Sequence, residues 1–319
     1  MLDMTPILTA VRQAATLTRR VQAEYLERSD KAGREPVTIA DYGSQAILLR
    51  AISQIFPDDA VLAEEQGQQF MTLVGDEQRA TVVQLVGEAL GESVSEAELV
   101  NWLDHGRGLA ADRTWAIDPI DGTKGFLARR RYSIAAALLI DGQPVAGILG
   151  SPGYPTGDGA GLLFYAQGSA AYVEPMGGGK AYRIAISGRS QPRDLKVVES
   201  VERDHAHLEK MAQVYAQAGI KQTNVEGVDS QDKYAMIACG DADLYLRLPR
   251  EANPQHRIWD HAPGTALIQA AGGVVTDIDG SPLNFASGMI MVGTQGMVVS
   301  NGHAHDQIID TIQAVLKGT

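Results

Sequence analysis

The chain reads as a layered α/β protein, and three observations predict it. Helical apolar periodicity opens and closes the chain. A run of short strand patterns with hairpin signals fills the middle. Strand and helix patterns then alternate through the last third. The 319 residues suffice for one large or two ordinary domains. With 45% hydrophobic and 21% charged residues, the composition is that of an ordinary globular protein.

Thr5-Pro6 suits the N-cap and first position of a helix. Apolar spacing from Ile7 and Leu8 through Val11, Ala14, Val21 and Tyr25 carries that helix to about Asp30. Ser29 to Pro36 is a polar loop. Asp41 opens a second helix that runs through Ile47, Leu48, Ala51 and Ile55 and stops at Phe56-Pro57. Val61-Leu62-Ala63 is a short buried strand. Residues 76–104 are helical and Gly106 to Asp112 is a loop. Trp115-Ala116-Ile117 forms a strand that ends at Asp118, where a turn is expected. Tyr132–Ile140 and Pro144–Leu149 flank Asp141-Gly142, a strong hairpin signal. Short strands follow at Leu162–Tyr165, Ala170–Val173 and Tyr182–Ile186. The polar stretch from Ser187 to Asp194 divides the chain into domains 1–190 and 191–319. The second half reads as a strand at Lys196–Val201, helices at about 205–218 and 230–239, and a strand at 242–248. A helix at 260–271, strands within 274–299 and a terminal helix from about 304 complete it. Gly177-Gly178-Gly179-Lys180 lacks the spacing of a phosphate loop and reads as a hairpin turn. Asp277-x-Asp279-Gly280 lacks the glutamate that a calcium loop needs.

The formal net charge of −12 argues against binding a nucleic-acid polymer. No stretch approaches the ~18 consecutive apolar residues of a membrane span. No basic segment precedes the first apolar run, as a secretory signal would require. The single cysteine, Cys239, excludes an intrachain disulfide and suits a reducing compartment. The expectation is a cytoplasmic protein, monomer or homodimer, without a membrane or nucleic-acid partner.

The most informative stretch is Trp115-Ala116-Ile117-Asp118-Pro119-Ile120-Asp121-Gly122-Thr123. Pro119 bars helix, Gly122 supplies a turn, and Asp118, Asp121 and a carbonyl between them can converge. Hard oxygen donors of this kind hold Mg²⁺ in phosphate chemistry. An ordinary Asp-Pro/Asp-Gly turn is the alternative. Glu64-Glu65 follows an apolar strand directly, which is poor core material because an unpaired buried carboxylate is costly. Asp41 and Asp260 also close apolar runs; helix capping is the alternative for each. Acids ending several apolar runs are better explained by one shared cation site.

These segments resemble the inositol monophosphatase superfamily of magnesium-dependent, lithium-sensitive phosphatases. Val37-Thr38-Ile39-Ala40-Asp41, Ala63-Glu64-Glu65, Asp118-Pro119-Ile120-Asp121-Gly122-Thr123 and Ile258-Trp259-Asp260-His261-Ala262-Pro263-Gly264 are similar to its ordered motifs. The long helical stretch between Glu64 and Asp118 resembles the branch acting on 3'(2'),5'-bisphosphate nucleotides. So do Asp229-Ser230-Gln231-Asp232-Lys233-Tyr234 and the strand around Arg247, with Val201–His205 a looser match. Gln66 departs from the usual Asp or Ser, and Gly150–Pro155 from a Cys-Pro-Asn segment.

The resemblance implies an αβαβα sandwich and a hydrolase acting on a small phosphate ester. It implies two or three Mg²⁺ ions on Glu64, Asp118, the Ile120 carbonyl, Asp121 and Asp260. Asp41 and Thr123 would orient and deprotonate the attacking water. Gly122, Thr123, His205, Ser230, Lys233, Arg247 and Asp260 would contact substrate. The implied reaction removes the 3'-phosphate of adenosine 3',5'-bisphosphate, with inositol phosphates as alternative substrates. Catalytic silence, as a metal- and nucleotide-binding sensor, is the remaining alternative.

Overall fold

The structure is a computed structural model that describes residues 3–28, 35–201, 207–250 and 254–318. Its first half opens with helices α1 (Thr5–Arg28) and α2 (Glu35–Ile55). Strand β1 (Ala60–Ala63) follows, then three helices: α3 (Gly67–Leu73), α4 (Asp76–Leu90) and α5 (Glu96–Leu103). Next come β2 (Arg113–Asp121), the short α6 (Thr123–Leu127), β3 (Ser133–Ile140) and β4 (Gln143–Ser151). The meander closes with β5 (Leu162–Gln167), β6 (Ala170–Pro175) and β7 (Tyr182–Ile184).

The second half begins with β8 (Val197–Ser200), α7 (Leu208–Ala218), β9 (Val225–Val228) and α8 (Asp232–Ala238). It ends with β10 (Leu244–Arg247), α9 (Ala262–Ala271), β11 (Val274–Thr276), β12 (Met297–Ser300) and α10 (His305–Lys317). Strands β1 to β7 form one sheet in chain order; the other five are ordered β11-β12-β10-β8-β9.

Side-chain alternation builds the layers. In the first sheet Trp115, Ile117, Ile134, Leu138 and Ile148 face one way and pack with α1 and α2 through Val11, Leu48 and Ile52. Ala116, Ala135, Ala137 and Phe164 face the other way and join Leu267 and Ile268 of α9. The alanines keep that face flat, and a Cβ on Gly147 would sit 2.2 Å from the Pro263 carbonyl, so α9 lies close on the sheet. The second sheet turns Val198, Tyr245 and Val299 toward the same middle layer. It turns Val197, Leu244, Leu246 and Val298 outward onto α7 and α10. The result is the αβαβα sandwich. Each fully buried Leu or Ile contributes roughly 1.5–3 kcal/mol of hydrophobic stabilisation.

The central hairpin forms as expected, with Asp141 (φ 50°) and Gly142 (φ 71°) both left-handed. Three expectations are corrected. Asp41 lies inside α2, not at its start, because Val37, Ile39 and Ala40 already pack in the core. Strand β2 continues past Asp118 to Asp121. Strand β9, Val-Glu-Gly-Val, was not anticipated; its half-exposed edge pattern carries too little apolar signal to read.

Candidate active site

The end of β2 explains why two aspartates three residues apart can serve one point. Asp118 pairs with Ala135, and Asp121 with Ser133, so β2 carries one extra residue between them. In a regular strand these side chains would point to opposite faces; the bulge returns both to the middle-layer side. Pro119 suits the bulge because it has no N–H to leave unpaired. The Ile120 N–H donates to Asp118 Oδ1 (3.1 Å), and Ser44 of α2 donates to the Pro119 carbonyl (2.9 Å).

Strand β1 runs parallel to β2, with Ala63 level with Ile117, so Glu64 leaves the sheet beside Asp118. Gln45 of α2 holds the adjacent Glu65 backbone from both sides, accepting its N–H (2.9 Å) and donating to its carbonyl (2.8 Å). Arg107 donates to the same carbonyl (2.7 Å). Asp260 comes from the single 3-10 turn Ile258–Asp260 that precedes α9. It does not cap that helix: His261 occupies the N-cap position, and no side-chain cap bond forms there. Asp41 is no cap either, being interior to α2.

These carboxyls crowd one cleft. Asp118 is pushed well above the usual carboxylate range by burial first, then by Asp121, Glu64, Asp260 and Asp41. Burial and Asp121 raise Asp260 to about 7. Glu64, open to the cleft, is raised to about 7 by desolvation, Glu65 and Asp121. Burial, then Glu65 and Glu64, also raise Asp41. Asp121 is raised by burial but relieved by Lys233, the Gln231 N–H and Arg247. An all-oxygen donor set under mutual repulsion fits a hard divalent cation. Among the described residues, no three such side chains already close around a single point.

The cleft has a volume of about 620 Å³. The same cavity carries cations from the second half of the chain, on α8 and on the second sheet. Lys233 of α8 is 5% exposed, and its ammonium donates to the carbonyls of Ser230 (2.5 Å) and Val228 (3.1 Å) over the Tyr245 ring. Burial lowers it to about 8. Arg247 ends β10 and lines the same cavity, as does Arg257. Gly122 and Ser230 close the seam between the two halves. Both are left-handed (φ 88° and 61°), and a Cβ on Gly122 would lie 2.9 Å from that of Ser230. The Ser230 hydroxyl is engaged internally, with Ser133 Oγ (2.9 Å) and the Asp232 N–H (3.2 Å).

The structure therefore brings Glu64, Asp118, Ile120, Asp121, Gly122, Thr123, Ser230, Lys233, Arg247 and Asp260 to one cavity. Thr123 is the exposed first residue of α6. Asp41 stands behind the acids, and no hydrogen bond joins it to Thr123 among the described residues. His205 lies outside the described residues. Sequence reasoning missed Gln69, Tyr245, Arg257 and Met289 in the lining. It also missed the part played by Gln231, which donates its N–H to Asp121 Oδ2. Gln69, Arg257 and Met289 have no local motif, and Gln231 and Tyr245 lie in segments singled out by resemblance whose contacts only the assembled layers reveal.

The sequence profile of the inositol monophosphatase family matches residues 3–317. The 3'(2'),5'-bisphosphate nucleotidase of Emericella nidulans is 36% identical, over 97% of this chain and 96% of that protein. The 3'(2'),5'-bisphosphate nucleotidase 1 of Candida albicans is 32% identical, over 97% and 94%. Among solved structures, an inositol monophosphatase from Zymomonas mobilis has the same fold, with TM-score 0.66 at 19% identity over 98% of this chain and 97% of that one. No described helix is long and apolar enough to cross a membrane.

Proposed function

The chain belongs to the inositol monophosphatase family, and from that premise we propose that it is a Mg²⁺-dependent nucleotidase. It removes the 3'-phosphate of adenosine 3',5'-bisphosphate, giving 5'-AMP and phosphate, and acts likewise on 3'-phosphoadenylyl sulfate. The observation that carries this reading is the divided cleft. One wall is carboxylate and raised in pKa; the other holds buried Lys233 with Arg247. A substrate with two phosphates satisfies both walls, whereas a polyol monophosphate leaves the cations unpaired. The relatives named as bisphosphate nucleotidases support the same substrate class.

Glu64, Asp118, the Ile120 carbonyl, Asp121 and Asp260 would hold two or three Mg²⁺ ions. When bound, the metal supplies charge neutralisation at the phosphoryl oxygens, water activation and leaving-group stabilisation. The chain's own residues do the rest. Thr123 orients the attacking water from the start of α6, while Asp41, not bonded to it, adds its charge to the acids from behind. Gly122, held tight against Ser230, lets the backbone approach the phosphate. Lys233 and Arg247 seat the second phosphate and so align the ester for attack. Phosphate release from a panel of adenosine 3',5'-bisphosphate, inositol 1-phosphate and an inositol polyphosphate tests the reading. The bisphosphate nucleotide is expected to have the highest kcat/KM; inositol 1-phosphate in first place overturns it.

A further inference from the structure

We propose that Gln231 is a positioning residue that sets Asp260 against Asp121 across the cleft. The inference rests on reading those two carboxylates as parts of one Mg²⁺ site. Gln231 occupies the N-cap position of α8 and is 2% exposed. Its backbone N–H donates to Asp121 Oδ2. Its side-chain amide reaches the other way, where Nε2 donates to the Trp259 carbonyl (3.0 Å) and Oε1 accepts the Gly264 N–H (3.1 Å). Those two backbone groups bracket Asp260. One residue thus grips the β2 end through its main chain and the turn carrying Asp260 through its side chain.

The chemistry accounts for the residue type. A carboxamide offers a donor and an acceptor side by side without needing to bind a proton. Turning the amide over would set donor against donor and acceptor against acceptor. Tyr234, on the same turn of α8, adds a third point of grip. Its hydroxyl pairs with His261 Nδ1 (2.9 Å), and its ring lies so close under Gly264 that a Cβ there would sit 2.3 Å from it. The clamp has a force to resist: Asp121 and Asp260 repel each other and, unrestrained, would separate. Groups that orient metal ligands in this way typically change metal affinity by roughly 10- to 100-fold when removed.

The test uses Gln231→Met, which keeps the volume and the backbone N–H but removes both amide bonds. Melting temperature is followed with and without Mg²⁺, and Mg²⁺ affinity is measured by calorimetry. The expected result is a metal-free melting temperature lowered by the loss of two buried hydrogen bonds, a larger fall with Mg²⁺ present so that the rise on adding Mg²⁺ is much smaller, and affinity weakened roughly 10-fold or more. At saturating Mg²⁺ kcat falls while KM for the nucleotide holds. On an Asp260→Asn background the same substitution adds little further loss, since it acts through that carboxylate. Equal falls in the metal-free and Mg²⁺-loaded melting temperatures, with affinity unchanged, would mark Gln231 as merely structural and overturn the inference. A wild-type protein that gains nothing from Mg²⁺ would instead overturn the metal-site reading beneath it. If Gln231→Met does not fold, Gln231→Asn serves in its place, since it shortens the reach by one methylene and cannot bridge both partners.

Discussion

The two walls of the cleft are built on opposite principles. The acidic wall stands on β1, β2 and the turn before α9, and its carboxyls are raised by shelter and by one another. The cationic wall stands on α8 and β10, and Lys233 is lowered to about 8 by burial, with the Asp121 carboxylate partly restoring it. Burial disfavours the charged form on each wall, and a ligand of opposite charge would relieve it. Read together, they describe a ligand with a cation at one end and an anion at the other, as a metal-bound phosphate ester with a second phosphate would be.

Asp118→Asn strikes the acidic wall at its most buried member and should have the largest effect. Turnover is expected to fall about 10³-fold, the upper end of what losing one preorganised electrostatic partner costs. The metal-free melting temperature should hold or rise, because the substitution relieves repulsion among the acids. A clear drop in that temperature would make Asp118 a structural residue instead.

Thr123→Ala comes next, because Thr123 belongs to the chemistry and to neither charged wall. We expect kcat to fall about 10²-fold, the lower end for proton-transfer groups, with Mg²⁺ affinity nearly unchanged. An unaltered kcat would remove Thr123 from the reaction.

Lys233→Met tests the cationic wall. For adenosine 3',5'-bisphosphate, kcat/KM should fall roughly tenfold, as expected for one charge-assisted contact of about 1.5–3 kcal/mol. Activity on inositol 1-phosphate should be spared. In the wild type, kcat/KM for the nucleotide should decline as pH rises through about 8, as Lys233 loses its proton. Equal damage to both substrates would show that the second wall does not select the nucleotide.

The smallest effect is the pH dependence of stabilisation by Mg²⁺. Asp260 at about 7 lies above its ordinary 3.8, so the metal-free fold binds this proton more tightly than the unfolded chain does. Its contribution is complete below pH 3.8 and is lost as pH rises toward 7. Mg²⁺ competes with that proton, so the rise in melting temperature on adding metal should grow by a few degrees (~2–4 °C per kcal/mol) across this range. Glu64 adds in the same sense, more weakly because it opens to water. Buried His256 and His261 are both lowered by desolvation. A metal increment that is flat with pH would deny that protons and Mg²⁺ share these groups.

Much of the acidic wall was legible in the sequence because its residues sit at the ends of apolar runs. A carboxylate there cannot be core and must have a partner. The layered order was legible from period-2 and helical patterns, which sort side chains to faces before any contact is known. Local pattern was thus enough for most of the elements, the acids that end them and the hairpin at Asp141-Gly142. Tertiary structure decided the rest. The bulge between Asp118 and Asp121 depends on register with β3, which no local pattern reveals. Asp41 proved to be inside α2 because burial of Val37 and Ile39 extended the helix. The pairing of Lys233 with Arg247, and the reach of Gln231 to both Asp121 and the turn of Asp260, join segments far apart in the chain. Side-chain patterning is a property of neighbours in sequence, whereas a cleft is made where separate layers meet, and its charges acquire their meaning only from groups that folding brings across the gap.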